Sequence, residues 1–280
     1  MRNLTDEQRD IFINELRERT RQEAYCLKIE KDKKPGLFDS KFGGLPYWDS
    51  SKPYPTDENG NRLILLAQIN LYEIDDSRLP ENGMLQFFIS NDDMYGCDFD
   101  NQDVQKNFRV VYHEMVDYDL TEEDLKPFNF PMATSDSEMP LTREYAVSVT
   151  KKETFMDIFD YRFNDIATDV IKTKFGIEGF EVDVDIWEYL DDISQHMDEM
   201  SFSSNGHKIF GYPAFTQEDP RGYNEEYQYY DTLLFQMDSD NIDEEFCVIW
   251  GDCGVANFFI NHKDLENKDF SKILYNWDCC

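Results

Sequence analysis

The residue types best suited to chemistry gather late in the chain, at Gln217, Asp219, Arg221, Gln236, Asp238, Asp240, Trp250 and Asp252. Asp219-Pro220-Arg221 can hold a buried ion pair, with the guanidinium forking onto Asp238 or Asp240. Asp238-Ser239-Asp240 alternates, which puts both carboxylates on one face of a strand. Such a pair can bind a divalent cation or split its two pKa values for acid–base work. The competing reading is that the carboxylates cap turns and pair with Arg221. Gln68 lies far upstream but matches Gln236, each being polar within an apolar run, LLAQIN or LLFQMD. A buried amide must be satisfied, so either each glutamine pins a loop or the two line a shared cleft.

Other chemistries find less support. Starting from Asp98 or Asp238, the glycine and ligand positions of a calcium-binding loop are wrong. Cys247, Cys253, Cys279, Cys280 and His262 lie near the C-terminus, but Cys247 and Cys253 are too far apart for the usual zinc ligand pair. His113, His196, His207 and His262 are scattered. No phosphate-cradling glycine motif, zinc-protease helix or nucleophile elbow occurs. We therefore expect no metal and no cofactor, and lean away from an enzyme.

Composition narrows the partners. The 280 residues carry a formal charge of −32, which repels nucleic acid and anionic membrane and favours basic proteins or peptides. With 22 Phe and 16 Tyr there is ample material for a core. No apolar run is long enough to span a bilayer, the N-terminus lacks a signal pattern, and the six cysteines read as reduced thiols. The expected location is cytoplasmic.

The elements that would position these residues read as α+β. Thr5 and Gln8 form a capping box that opens a helix over about 5–22. Residues 26–29 read as extended, and residues 34–61 as a structured loop. Short aromatic and β-branched runs at 63–71, 84–90, 107–116 and 144–150 predict strands. Thr150 and Glu153 predict a second capping box, with Phe155, Phe159, Phe163, Ile166 and Val170 at helical spacing; a third helix follows over 186–200. Strands return at 231–238, 246–250, 255–261 and 272–277.

A repeat runs through this pattern. Phe42-Gly43-Gly44-Leu45-Pro46 precedes Gln68, then Gly83 and Phe87-Phe88-Ile89-Ser90; Phe210-Gly211-Tyr212-Pro213 precedes Gln236, then Gly254 and Phe258-Phe259-Ile260-Asn261. Pro46 to Gln68 is 22 residues and Pro213 to Gln236 is 23. The expected architecture is one domain over 1–280, with duplicated β-rich units at about 40–120 and 207–278. A pseudo-twofold relates them, and an N-terminal helix and two central helices (insert about 150–202) pack on the sheets.

The segments SKFGGLPYW, LLAQINL, ENGMLQFFIS, HKIFGYPAFTQEDPR, LLFQMDSD, WGDCGVANFFI and LYNWDC resemble the YwqG-like bacterial family, over essentially the whole chain and in the same order. That resemblance implies a cytoplasmic α+β protein with no assigned reaction. Family members sometimes lie near toxin and immunity genes, which points to partner binding. The expected function is thus a non-enzymatic interaction protein of immunity or regulatory type with a basic partner. The alternative is a small-ligand- or metal-dependent protein with an acidic site between the repeats.

Overall fold

The first helix, α1 (Asp6–Thr20), starts where its capping box dictates: Gln8 N–H donates to Thr5 Oγ1 and Thr5 N–H to Gln8 Oε1. The computed structural model describes residues 4–176 and 204–280; the helix expected over 186–200 lies outside them. α1 buries Phe12, Ile13 and Leu16 against α3 (Phe163–Phe175), which contributes Phe163, Ala167, Val170 and Ile171. Two further short helical turns, α4 (Pro220–Tyr223) and α5 (His262–Glu266), and α2 (Glu122–Leu125) sit in connections.

Ten strands form one antiparallel sheet: β1 (Gln22–Glu30), β2 (Lys41–Phe42), β3 (Ile64–Asn70), β4 (Met84–Ile89), β5 (Phe108–His113), β6 (Tyr145–Thr154), β7 (Lys208–Phe210), β8 (Thr232–Asp238), β11 (Val255–Ile260) and β12 (Leu274–Asp278). Their order is β12-β11-β8-β7-β1-β6-β2-β3-β4-β5. A separate hairpin is made by β9 (Asp240–Ile242) and β10 (Glu245–Val248). The run at 246–250 therefore leaves the main sheet.

The sheet curls until its ends meet. Phe108 of β5 lies 5.1 Å, ring to ring, from Tyr275 of β12, although these strands are at opposite ends of the order. Tyr275 N–H also donates to the Gln102 carbonyl in the β4–β5 connection. Inside the curl, Phe87 meets Phe235 at 4.5 Å and Phe258 at 5.1 Å, all three fully buried. Each such ring removed from water stabilises the fold by about 2–3 kcal/mol. This closed interior is the main core.

One expectation is corrected here. Residues 150–154 are strand, not helix: β6 pairs with β1 from Ala146↔Glu30 to Thr154↔Gln22, and the helix begins only at Phe163. Nine consecutive partners override the Thr150/Glu153 capping signal. Among the described residues the two β-rich regions share one sheet, in which the central β1–β6 pair joins β2-β3-β4-β5 on one side to β7-β8-β11-β12 on the other.

Candidate functional site

Gln68 and Gln236 are both fully buried, and both bind loop backbone. Gln68 Oε1 accepts from Tyr47 N–H (2.9 Å), and its Nε2 donates to the carbonyls of Leu37 (2.8 Å) and Asp39 (3.1 Å). Gln236 Oε1 accepts from Ala214 N–H (2.8 Å), and its Nε2 donates to Ser204 (2.9 Å) and Gly206 (2.8 Å). The turns they hold match: Gly43 and Phe210 both have φ 64°, and Gly44 and Gly211 both have φ 77°. Lys41 and Lys208 lie directly across from Gln68 and Gln236, respectively, and donate to carbonyls of the same loops. Burial pulls both ammonium groups down to about 8. The amide groups are thus committed to the loops, and neither reaches a cleft shared with the other.

Arg221 is also buried, but it does not reach Asp238 or Asp240. It forks onto Asp219 through Nε (2.9 Å) and Nη2 (2.7 Å), with Asp160 at 3.7 Å. Asp219 caps the α4 turn, so its carboxylate faces its own neighbour's guanidinium. The same Asp-x-Arg fork recurs at Asp76/Arg78 and Asp160/Arg162, a repeated spacing that sequence reading passed over. The three arginines border one small cavity of about 240 Å³ beside Phe210 and Gly211. Each carries its own carboxylate, so the forks act as rivets between loops and leave no net positive charge for an anion.

Trp250 is fully buried, edge-on to Tyr95 at 5.2 Å. Asp252 is exposed on the turn before β11. Gln217 lies apart, donating to the Cys279 carbonyl. The predicted constellation is therefore divided among several places.

Asp238 and Asp240 remain together, on a cleft of about 630 Å³ that Lys28, Thr150, Lys152, His207 and Cys253 also line. That is within the size range of small-molecule sites. Asp238 caps backbone, Oδ2 accepting from Gly206 N–H (2.6 Å) and Oδ1 from Ser239 N–H (2.8 Å). His207 Nδ1 accepts from Asp238 N–H (3.1 Å), so its proton sits on Nε2, which faces Asp240 Oδ2 at 3.3 Å. That hydrogen bond is the main reason the Asp240 carboxyl lies below its usual range. The ring has no free lone pair for general-base work, and the cleft presents one half-exposed carboxylate near two lysines. We expect ¹⁵N spectra of His207 to show the neutral Nε2–H tautomer; an Nδ1–H signature would contradict this geometry.

Among the described residues, no three His, Cys, Asp or Glu side chains come together as a metal site would require. No described helix is long and apolar enough to cross a membrane.

A curled antiparallel sheet with a few helices between its strands, and loops pinned by buried glutamines, defines an α+β protein whose site chemistry names no reaction. Residues 40–279 match the model of the domain of unknown function DUF1963, and the chain belongs to that family. No curated protein matches the chain.

Proposed function

We propose that this chain is a non-enzymatic binding protein, of immunity or regulatory type, whose partner is a basic protein. The observation that carries this reading is the charge. Pairing every Lys and Arg with one carboxylate would still leave 32 carboxylates uncompensated. Ion pairs such as Arg21–Glu18, Lys33–Asp39, Lys126–Glu123 and Lys268–Glu114 join exposed groups and screen little of that field. A surface of this sign steers cationic partners and repels anionic ones.

The narrower YwqG-like assignment rests on the quoted segments, and a cytoplasmic setting suits the six unpaired cysteines. An origin by duplication is supported by the matched loops. Besides the two glutamines and two lysines, Gln86 Nε2 donates to the Tyr47 carbonyl as Asn257 Nδ2 does to Ala214. Outward from β1–β6, strands run β2-β3-β4-β5 one way and β7-β8-β11-β12 the other, as a pseudo-twofold through that pair requires.

Native mass spectrometry of the chain, purified from its own host without chelator, tests the reading. The expected result is added mass from a basic protein, lost on denaturation. Added mass of a metal or small molecule alone would favour the cleft at Asp240 and count against a protein partner.

A further inference from the structure

A second cleft of about 630 Å³ opens beside the edge strand β12, between the segments 93–99 and 217–223. Its walls are aromatic. Phe99 and Trp277 stand 5.9 Å apart, ring to ring, and Tyr223 of α4 lines the same cleft. Tyr223 is 66% exposed and Phe99 45%, so these rings are open to solvent and not packed away. Three carboxylates line the same cleft, from Asp93, Glu218 and Asp278, and no Lys, Arg or His does.

Asp278 sets this apart from an ordinary acidic surface. The residue is only 8% exposed, and its Oδ2 accepts from Thr216 N–H (3.0 Å) and Gln217 N–H (2.7 Å). Its Oδ1 is buried without a hydrogen-bond partner among the described residues. A carboxylate oxygen left so is costly, and burial raises the Asp278 carboxyl above its usual range. A cation seated against this side chain would offset part of the cost of burying its charge.

The matching place in the first half is closed. Asp278 pairs with Val255, the residue after Gly254; His113 pairs with Met84, the residue after Gly83. Around His113, the rings of Tyr47 and Trp48 stand edge-on at 5.2 and 5.1 Å and fill the space. One half therefore carries an aromatic stopper where the other carries an open cleft with a buried carboxylate.

We infer that this cleft seats a lysine side chain of the basic protein partner, its ammonium held by Asp278 and the faces of Tyr223, Phe99 and Trp277. The inference rests on the proposed partner reading. Aromatic faces attract a cation through their quadrupole, and a carboxylate at the base adds charge. The absence of any lining base leaves the cleft without an internal competitor for that seat.

The test titrates the chain with an oligolysine peptide and with the same peptide acetylated on every side-chain amine. Binding is followed at the Trp277 indole N–H, which donates to the Met94 carbonyl. The lysine peptide is expected to shift that resonance and the acetylated peptide to leave it unmoved. Tyr223→Ala with Glu218→Gln, both at exposed positions, is expected to weaken binding about tenfold. If the double variant binds equally well and Trp277 does not move, the cleft is not the seat, while the partner reading stands. If the lysine peptide does not bind at all, the partner reading fails. A Trp277 shift with methylammonium alone would then make the cleft a site for small free amines and overturn the lysine assignment; no shift with either probe would overturn the cation seat itself.

Discussion

Replacing Arg221 with Met is expected to destabilise the fold by about 3 kcal/mol, within the range for breaking one side of a buried ion pair. The guanidinium is fully buried, grips both oxygens of Asp219, and lies 4.1 Å above the Phe259 ring and 4.9 Å from that of Tyr161. Methionine keeps much of the volume, but among the described residues leaves Asp219 with only the backbone N–H groups of Tyr161 and of residue 221 itself. Adding Asp219→Leu to Arg221→Met should recover part of the loss, because the stranded charge goes with it. Urea unfolding of the two variants against the parent measures this. A loss below about 1 kcal/mol for the single variant would show that the fork is an ordinary surface-like pair.

The second large effect concerns acid. His113 is fully buried between Tyr47 and Trp48, and burial pushes its pKa down to about 4. Its Nε2 bonds Gln86 Oε1 at 3.0 Å, while Nδ1 has no partner among the described residues, so a second ring proton would have nothing to bind. The unfolded chain takes up that proton near the ordinary histidine value of about 6.5, and the folded chain refuses it until about 4. Between these values the unfolded state binds more protons, so stability falls as pH falls, by about 3 kcal/mol across the window. Loss of self-repulsion among the many carboxylates works the other way. The comparison that isolates the histidine is therefore parent against His113→Gln, which keeps a donor for Gln86. The parent is expected to lose more stability than the variant between neutral pH and pH 4; equal losses would show that His113 does not drive the dependence.

Some of this was readable in advance. The Thr5/Gln8 box sets the start of α1 because it acts within one turn and needs no tertiary partner. Gln68 and Gln236 stood out because an amide inside an apolar run must be satisfied somewhere. The short strands β2 and β7 were hidden, since two or three residues among glycines and prolines carry no periodicity. Their existence depends on pairing with β6 and β3 or β1 and β8, which is non-local. The same reason explains why Thr150 and Glu153 misled: a local capping signal gave way to a long pairing with β1. Arg221 was expected to reach down the strand to Asp238 or Asp240, but a fork across one intervening proline is the shorter path. The aromatic cleft beside β12 brings residues from 93–99, 217–223 and 276–279 together, a convergence that only the curl of the sheet creates.

The most direct measurement is the affinity of the intact chain for the oligolysine peptide at a series of salt concentrations, with an oligoglutamate peptide as control. If its uncompensated carboxylates recruit a basic partner, the lysine peptide binds at low salt, weakens steadily as salt rises, and the glutamate peptide does not bind. Undetectable binding of the lysine peptide, or an affinity indifferent to salt, would contradict a charge-steered basic partner.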